Sequence, residues 1–270
     1  MLNKGLLLFA LLLALAAVSL RAVVKMAEPK LLFHPQTGLE LNPTFFGLKF
    51  VDVVIRSGEF DIHGWFFPGD RSKKFVIFYH GNAGNMSDRI DFIKFMKPAG
   101  LNFLMIDYRG YGRSEGWPTI DGIGEDAVAA VDWVSKKRKV PLNRIVLWGR
   151  SLGVGAALIA AERYPGVSGV ILESGFVSMR RMASEIYPFL PVAFVTDGFD
   201  NGRIVSKISA PKLFIHGTRD ELIPFRHTEE LYSRALGPKR IVPVVSGHND
   251  TYIRGGSKYL RIVEEWISGL

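Results

Sequence analysis

Cysteine is absent from this chain of 270 residues. The absence excludes disulfide bonds, thiolate metal sites and a cysteine nucleophile, but it leaves the redox compartment open, because reducing and oxidising environments both tolerate a chain without thiols. The histidines lack the paired spacing of metal ligands, so the sequence predicts no metal site. No Gly-x-Gly-x-x-Gly fingerprint follows the first predicted parallel strand, which argues against a dinucleotide. We therefore expect no cofactor.

Aromatic residues are missing from the basic runs of the chain, which carries a net charge of +8. These runs lie at 71–74, 136–139 and 180–181. Nucleic-acid-binding segments usually interleave basic and aromatic side chains, so we interpret the runs as solvated faces and expect no nucleic-acid partner. A basic surface that meets anionic lipid is the alternative.

One long hydrophobic run lies at the N-terminus. Residues 5–20 carry no charge, and continuing across Arg21 to Val24 gives 20 residues, which form about 30 Å of helix and can span a bilayer. We predict that 1–24 is a transmembrane segment, so that the protein is a single-pass membrane protein with an N-terminal anchor. The alternative is a signal peptide, whose cleavage leaves a secreted or periplasmic domain.

The segment that follows, residues 25–49, contains three prolines and no sustained period, so we predict a linker. Two alternating runs come next, "KFVDVVIRS" and "DIHGWFFPG", separated by a three-residue stretch that contains Gly58 and Glu59. This pattern predicts an antiparallel hairpin at the start of one catalytic domain that covers residues 50–270.

Short apolar runs alternate with helical patterns from residue 75 onward. The predicted strands are 75–80, 102–107, 144–148, 167–174, 212–217 and 240–246, and the predicted helices are 87–99, 122–137, 152–164, 225–236 and 256–268. Continuously apolar strands are buried on both faces, and their alternation with helices indicates a parallel sheet. We therefore predict an α/β fold with about eight mostly parallel strands and helices on both faces.

The segment 175–207 is long and aromatic for a crossover between two strands. We predict a lid-like insertion that packs over the carboxyl ends of the strands, where open α/β sheets bind ligands. An ordinary irregular helix pair is the alternative.

The stretch "WGRSLG" places Ser151 between two glycines, where a strand gives way to a helix. A serine on such a tight turn presents its hydroxyl at the sheet edge, and the glycines let the neighbouring backbone approach closely. A serine hydroxyl needs a base that is itself oriented by a carboxylate. His248 in "SGHND" and Asp220 in "HGTRDELIP" both follow predicted strands, as Ser151 does, so these three residues are the candidate catalytic triad.

The order Ser, Asp, His resembles that of the α/β-hydrolase superfamily, from about residue 50 to the C-terminus. The motifs "YHGNAGN", "DYRGYGRSEG", "GRSLG", "IHGTRDELIPFRH" and "GHND" are similar to those of its membrane-anchored bud-emergence-suppressor and abhydrolase-13-like group, whose substrates are mostly undefined. The resemblance implies the α/β-hydrolase fold. It also implies an oxyanion hole formed by the backbone N–H groups of Asn82 or Ala83 together with Leu152.

Other titratable residues compete for these roles. Glu173, near the end of the predicted strand 167–174, is the rival acid. Asp107 is expected beneath the site, His80 to fix its loop, and His216 to be a satisfied core histidine. The histidines without a chemical context are His34, His63 and His227.

These observations predict a serine hydrolase that cleaves carboxylic esters or thioesters. The aromatic residues of the predicted lid favour an apolar acyl chain, on a lipid-like or other small molecule or on an acylated protein. They are Phe176, Tyr187, Phe189, Phe194 and Phe199. The alternatives are a serine peptidase of the prolyl-oligopeptidase type and a non-catalytic binding protein with the same fold.

Overall fold

The computed structural model describes residues 5, 7–16, 18–19, 32–186 and 198–270. The described residues up to 19 are helical and form α1, whose leucine side chains are exposed. Within the described ranges, no helix combines the length and the apolar character needed to cross a bilayer. This finding corrects the prediction of a transmembrane helix.

Some of the predicted N-terminal features lie outside the described residues. They include residues 20–24 of the predicted hydrophobic segment and residues 25–31 of the predicted linker. The alternative of a cleaved signal peptide stays a prediction.

The centre of the described structure is an eight-stranded sheet in the order β10-β9-β8-β7-β4-β6-β3-β2. The strands in chain order are β1 (His34–Pro35), β2 (Val51–Ser57), β3 (Phe60–Phe67), β4 (Phe75–Tyr79), β5 (Ala83–Gly84), β6 (Asn102–Ile106), β7 (Ile145–Arg150), β8 (Gly169–Glu173), β9 (Lys212–Gly217) and β10 (Lys239–Val244). Strands β2 and β3 are antiparallel to each other, and β3 is antiparallel to β6. The other neighbours in the large sheet are parallel, and β1 forms a separate parallel pair with β5.

Helices connect the parallel strands. The α-helices after α1 are α2 (Ile90–Met96), α3 (Ile120–Asp132), α4 (Gly153–Arg163), α5 (Met179–Ile186), α6 (Asn201–Val205), α7 (Arg226–Arg234) and α8 (Thr251–Ser268). Short 3-10 helices cover Pro43–Phe46, Met86–Arg89, Lys97–Ala99 and Leu142–Arg144, and a π-helical turn, Trp133–Lys137, extends α3. Helix α8 is kinked at Gly256.

The predicted fold class is confirmed, because a mostly parallel sheet with an antiparallel hairpin lies between two helical layers. Helices α3, α4, α6 and α7 pack together on one face, and α2 and α8 pack on the other. Strands β4, β7, β8 and β9 are buried along their whole length. Burial on both faces explains why these strands are continuous apolar runs, whereas β2, at the sheet edge, alternates buried and exposed residues.

The described part of the predicted linker is packed onto the domain. It contains β1 and a 3-10 helix whose N-cap is Asn42. Phe33 and Leu48 are buried, one in each of the two hydrophobic cores. These elements have no sequence period because each is too short to complete one.

The segment 175–207 contains α5 and α6, and its residues 187–197 lie outside the described residues. Phe176 and Phe199, two of the predicted lid aromatics, are buried in the core beside α4. The other predicted lid aromatics, Tyr187, Phe189 and Phe194, fall in the part that is not described. The acyl-chain preference therefore stays a prediction.

Candidate active site

Ser151 lies on the turn between β7 and α4. Its φ of 55° falls in the left-handed region, which costs a non-glycine residue about 1–3 kcal/mol. Its backbone N–H donates to the carbonyl oxygen of Glu173 at 2.8 Å, and its carbonyl oxygen accepts from the N–H of Val154 at 3.0 Å. These two bonds hold the strained turn, so that the partly exposed serine lies at the carboxyl edge of the sheet.

The two glycines around this serine permit close backbone packing. A β-carbon on Gly149 would lie 2.1 Å from the carbonyl oxygen of Gly153, and one on Gly153 would lie 2.0 Å from the carbonyl oxygen of Tyr79. Both distances are too short for any real contact. Helix α4 can therefore begin directly against β4 and β7 only because these positions lack side chains.

Asp220 and His248, the predicted acid and base, contact each other after strands β9 and β10. His248 Nδ1 lies 2.6 Å from Asp220 Oδ2. Because an ionised carboxylate only accepts hydrogen bonds, Nδ1 carries the proton and Nε2 of the neutral ring keeps a lone pair. In the described part of the chain, no hydrogen bond joins this ring to the Ser151 hydroxyl.

The loop after β10 crosses back over the sheet toward the serine. A β-carbon on Gly217, the last residue of β9, would lie 2.3 Å from the carbonyl oxygen of Gly247, so the loop passes directly over the end of β9. Thr251, which opens α8, then donates its hydroxyl to Glu173 at the end of β8. The carbonyl oxygen of the same glutamate accepts the N–H of Ser151. The predicted base lies between these two anchors of the loop.

Four donors surround the buried carboxylate of Asp220. Oδ1 accepts from the backbone N–H groups of Leu222 at 2.9 Å and Ile223 at 2.8 Å. Oδ2 faces His248 Nδ1 and, at 3.1 Å, His216 Nε2. Burial alone would raise the pKa of Asp220, but the hydrogen bonds from the two imidazoles outweigh it and hold that pKa well below its usual range. The carboxylate is therefore ionised, as an orienting acid must be.

His216 is fully buried, and both of its ring nitrogens have partners. Nε2 lies 2.7 Å from the carbonyl oxygen of Ile223, and Nδ1 lies 2.6 Å from the Thr228 hydroxyl. Because Nε2 faces two acceptors, the Ile223 carbonyl and Asp220, it carries the proton, and the Thr228 hydroxyl donates to Nδ1. The histidine is satisfied, as the sequence predicts, but its contact with the acid was not predicted.

The loop after β4 lies beside the serine. A β-carbon on Gly81 would lie 3.4 Å from Cβ and 3.9 Å from Oγ of Ser151. Among the residues that the structure describes, none accepts a hydrogen bond from the backbone N–H of Asn82 or of Leu152. Ala83, the other predicted oxyanion donor, belongs to the short strand β5. Unpaired N–H groups beside a nucleophile are what an oxyanion hole requires.

The chain before the domain holds this loop in place, and we call residues 32–38 the N-terminal strap. Strand β1 of the strap pairs with β5. The Asn82 side chain accepts from the N–H of His34 at 3.3 Å and donates to the carbonyl of Leu32 at 2.5 Å. Asn85 Nδ2 donates to two further strap carbonyls at 2.7 and 3.2 Å. Part of the predicted linker therefore builds the candidate site.

Glu173, the rival acid, is fully buried and engaged elsewhere. Its carboxylate accepts hydrogen bonds from Trp148 Nε1, Arg150 Nη2, Thr251 Oγ1 and Tyr259 Oη. Among the described residues, His248 is not a donor to this carboxylate. The geometry therefore favours Asp220 as the partner of the imidazole.

Arg150, which precedes the serine, forms the platform beneath it together with Glu173. Its guanidinium lies 4.7 Å from the ring centroid of Phe92 and 5.3 Å from that of Tyr252. Burial alone would lower the pKa of Arg150, but the charge of Glu173 raises it above its usual value. A buried ion pair of this kind fixes the backbone on both sides of the nucleophile turn.

His80 and Asp107 organise the loops below the serine. His80 Nδ1 lies 2.7 Å from the carbonyl oxygen of Gly81, and its Nε2 lies 3.3 Å from Asp107 Oδ1. Asp107 Oδ1 also accepts the N–H of Met86 at 2.7 Å. Both residues therefore fix loops, which is the role that the sequence predicts for His80.

Two histidine pairs were missed at the sequence level. His63 Nε2 lies 2.8 Å from Asp52 Oδ1, and the hairpin register, which pairs Asp52 with Trp65, could have indicated this contact. His227 Nε2 lies 3.0 Å from Glu185 Oε2 and joins α7 to α5, which no sequence pattern indicates. In the described ranges, no group of three or more His, Asp or Glu side chains is placed to hold a metal ion.

Comparison with known proteins relates the chain to hydrolases. A family model described as Hydrolase_4, serine aminopeptidase S33, matches residues 70–197. The α/β hydrolase domain-containing protein WAV2 of Arabidopsis thaliana is 32% identical over 243 residues, which are 81% of this chain and 79% of that protein. The uncharacterized protein YfhR of Escherichia coli (strain K12) is 34% identical over 237 residues, or 84% and 82% of the two chains.

Solved structures share the architecture. The esterase Pf2001 of Pyrococcus furiosus superimposes with a TM-score of 0.71 at 21% identity, covering 87% of this chain and 98% of that chain. The monoacylglycerol lipase of Paleococcus ferrophilus superimposes with a TM-score of 0.60 at 19% identity, covering 77% and 98%. At these identities the likeness shows the fold alone. Together with the sequence relatives, it establishes that the chain belongs to the α/β-hydrolase superfamily.

Proposed function

We propose that the protein is a serine hydrolase that cleaves carboxylic esters or thioesters through an acyl-enzyme on Ser151. The observation that carries the proposal is the contact between His248 Nδ1 and Asp220 Oδ2 at 2.6 Å, in a loop that returns toward a serine on a strained strand-to-helix turn. The names of two structural neighbours, an esterase and a monoacylglycerol lipase, support ester chemistry.

The reaction follows from the roles of the three side chains. His248 Nε2 takes the hydroxyl proton of Ser151 as Oγ attacks the acyl carbon, and Asp220 compensates the imidazolium charge. The N–H groups of Leu152 and of Asn82 or Ala83 stabilise the oxyanion. Collapse of the tetrahedral intermediate expels the alcohol or thiol, which takes the proton from the imidazolium. Water then repeats the sequence, and the carboxylic acid is released.

Labelling with a fluorophosphonate probe tests the nucleophile. We expect the wild-type chain to form a covalent adduct and Ser151→Ala to form none. Ser174→Ala is the matched control, because Ser174 also follows a strand in the left-handed region, at φ 52°, but is fully buried. Labelling that survives Ser151→Ala, or that is lost only in Ser174→Ala, would refute the assignment.

A panel of p-nitrophenyl esters and acyl thioesters of increasing chain length tests the substrate class. We expect hydrolysis that rises from acetyl to longer chains, because the predicted lid is aromatic. Rates that fall with chain length would contradict the apolar preference. If the wild-type chain is labelled by the fluorophosphonate but hydrolyses none of the esters or thioesters, the proposed substrate class is wrong.

Peptide hydrolysis is the second candidate function. The matching family model is described as a serine aminopeptidase, and amides are cleaved by the same catalytic groups. Turnover of amino-acid p-nitroanilides that exceeds turnover of the corresponding esters would favour this candidate.

We also infer that the chain falls within the bud-emergence-suppressor and abhydrolase-13-like group. The five motifs quoted above support this narrower placement, and the relative WAV2, an α/β hydrolase domain-containing protein of similar length, is compatible with it. An alignment in which the strap and the asparagine at position 82 separate this group from other α/β hydrolases would test it.

A further inference from the structure

Two of the three basic runs of the sequence meet around one cavity, although about 65 residues separate them along the chain. The cavity has a volume of about 320 Å³, and its lining includes Arg71, Lys73, Arg138, Lys139 and Arg144. We call it the basic cavity. Its remaining lining residues, Phe66, Phe75, Asn102, Val140 and Pro141, are uncharged. Among the described residues, five cations and no carboxylate therefore face a single space.

The charge of these five side chains is not neutralised by ion pairs. In the described part of the chain, none of them lies within 4 Å of a carboxylate oxygen. Asp70 is the acid of the adjoining loop. Its Oδ1 accepts hydrogen bonds from the backbone N–H of Ser72 at 2.8 Å and from the Ser72 hydroxyl at 2.7 Å. Like charges gathered around one cavity repel each other, so the arrangement is stabilised when an anion enters it.

Two of the five cations, Arg144 and Arg138, are held in place by the fold. Arg144 Nη2 donates to the carbonyl oxygens of Arg71 at 2.7 Å and Lys73 at 2.9 Å, which ties the two segments together. The Arg138 guanidinium lies 4.6 Å from the ring centroid of Phe66, a cation–π arrangement that fixes a flexible side chain. These contacts reduce the entropy that ordering the cavity around a ligand would cost.

The backbone on one side of the cavity is unusual. Helix α3 ends in the π-helical turn Trp133–Lys137, and Lys139 has a φ of 55° in the left-handed region. Turns and strained residues of this kind recur at functional sites. Here they direct the basic run 136–139 around the end of the helix, where its last two residues line the cavity.

We propose that the basic cavity binds a small anion that carries two or more clustered phosphate groups. Arginine forks and lysine ammonium groups suit phosphate oxygens, and about 300 Å³ is the lower end of the range for small-molecule sites. Phe66 and Phe75 are each only 5% exposed, so they offer no free ring face for a nucleobase. The ligand is therefore recognised by its phosphates alone.

The basic cavity is separate from the candidate active site. Phe75 and Asn102 are the first residues of β4 and β6, whereas Ser151 follows the last residue of the neighbouring strand β7. A five-residue strand is about 17 Å long. The proposal therefore goes beyond the hydrolase function and does not depend on it.

Binding measurements on the full chain test the proposal. Isothermal titration calorimetry uses inorganic pyrophosphate and inositol hexakisphosphate as free probes. Sedimentation compares phosphatidylcholine vesicles with vesicles that also contain phosphatidylinositol bisphosphate, whose headgroup carries clustered phosphates. We expect the double variant Lys73→Gln/Lys139→Gln to weaken binding about tenfold or more, because charge-assisted hydrogen bonds are lost. Arg71→Gln, a single change at an exposed side chain, should weaken it in the same direction.

The matched control is the double variant Lys258→Gln/Arg261→Gln. Both side chains are exposed on α8, outside the basic cavity, and the change in net charge is identical. We expect it to bind the probes within twofold of wild type. If the free probes bind, and the cavity variant binds them more weakly, the cavity takes a soluble ligand. If only the anionic vesicles bind, and the cavity variant binds them more weakly, the cavity takes lipid headgroups.

Two results would overturn the proposal. One is failure of the wild-type chain to bind any of these probes. The other is equal weakening in the cavity variant and the α8 control, since the interaction would then reflect net charge alone. Thermal unfolding of each variant establishes that the compared proteins are folded.

Discussion

The Nε2 atom of His216 lies 3.1 Å from Oδ2 of Asp220, the same oxygen that faces Nδ1 of His248 at 2.6 Å. Two imidazoles therefore share one carboxylate oxygen. Only His248 lies in the loop that returns toward the serine, so His216 acts on the proposed reaction through Asp220. It is a positioning residue, and the Thr228 hydroxyl at its Nδ1 keeps its proton on the nitrogen that faces the acid.

Replacing His216 should change the pH profile of hydrolysis. In His216→Leu, Asp220 loses a donor that lowers its pKa, so the pKa of Asp220 rises and the carboxylate stabilises the imidazolium of His248 more strongly. We expect the acid limb of the kcat/KM profile to move to higher pH. The maximal kcat/KM should fall about tenfold, because Asp220 loses one hydrogen bond that holds it in position against His248. Steady-state hydrolysis of a p-nitrophenyl ester across the pH range measures both effects.

His216→Gln is the control, because its amide can place an N–H near the position of Nε2. We expect it to retain the wild-type profile more closely than His216→Leu does. A uniform loss of activity in both variants, with an unshifted acid limb, would indicate a purely structural role.

Asp220→Asn and Glu173→Gln should separate the acid of the triad from the buried acid beneath it. Asp220→Asn favours the wrong tautomer of His248, and we expect kcat per folded molecule to fall by about 10⁴. Glu173→Gln breaks the buried pair with Arg150, which should lower the free energy of unfolding by about 3–5 kcal/mol. Turnover per folded molecule should fall less than tenfold, measured after active-site titration with the fluorophosphonate.

The opposite pattern, turnover lost in Glu173→Gln and kept in Asp220→Asn, would assign the orienting carboxylate to β8. A stable Glu173→Gln variant would show that the four donors around that carboxylate contribute little to the fold.

The sheet was predictable from the sequence because its buried strands are continuous apolar runs of the right length. The hairpin was predictable because β2 alternates buried and exposed residues. The strap was not predictable, because β1 is two residues long and its side chains are exposed. Neither a sequence period nor an apolar run therefore marks it. Its stability comes from hydrogen bonds to Asn82 and Asn85, which depend on tertiary structure.

The contact between Asp220 and His248 was predictable because each residue follows a strand, and parallel strands end at one edge of the sheet. The contact of His216 with Asp220 was not, although the residues are four apart, because the spacing does not reveal how the turn after β9 folds. The prediction of a transmembrane helix rested on composition alone, and among the described residues no helix is long and apolar enough to cross a membrane.

The strap should control the oxyanion loop. Asn82→Ala removes the side chain that holds the strap to that loop but keeps the backbone N–H that is the candidate donor. We expect the rate of fluorophosphonate labelling and kcat to fall by about 10–100-fold with a smaller change in KM, because an oxyanion hole acts mainly in the transition state. Tyr111→Phe is the control, since it removes one donor to the same Oδ1 and leaves the strap contacts intact.

We expect Tyr111→Phe to lower the labelling rate less than Asn82→Ala does. An Asn82→Ala variant with wild-type kcat and a raised KM would show that the strap serves substrate binding and not the oxyanion loop.

Glu185 should make the stability of the α5–α7 contact depend on pH. Its carboxylate accepts from Arg181 and Arg226, each at 2.6 Å, and from His227 at 3.0 Å. Burial alone would raise its pKa, but these donors lower the pKa of Glu185 to about 2, from 4.5 for the free side chain. A lowered acid pKa stabilises the folded state above pH 4.5, and this contribution is lost as the pH falls from 4.5 to 2. Burial also lowers the pKa of His227, which acts in the same direction below pH 6.5.

Thermal unfolding between pH 6 and pH 2.5 measures this contribution. Glu185→Gln should lower the melting temperature near neutral pH and flatten its decline in acid, because the glutamine has no proton to gain. Glu229→Gln, an exposed change on the same helix α7, should leave the wild-type slope unchanged. If the melting temperature falls with pH equally in wild type and Glu185→Gln, then Glu185 has the same pKa in the folded and unfolded chains. The contact between α5 and α7 would then not depend on the charge of Glu185.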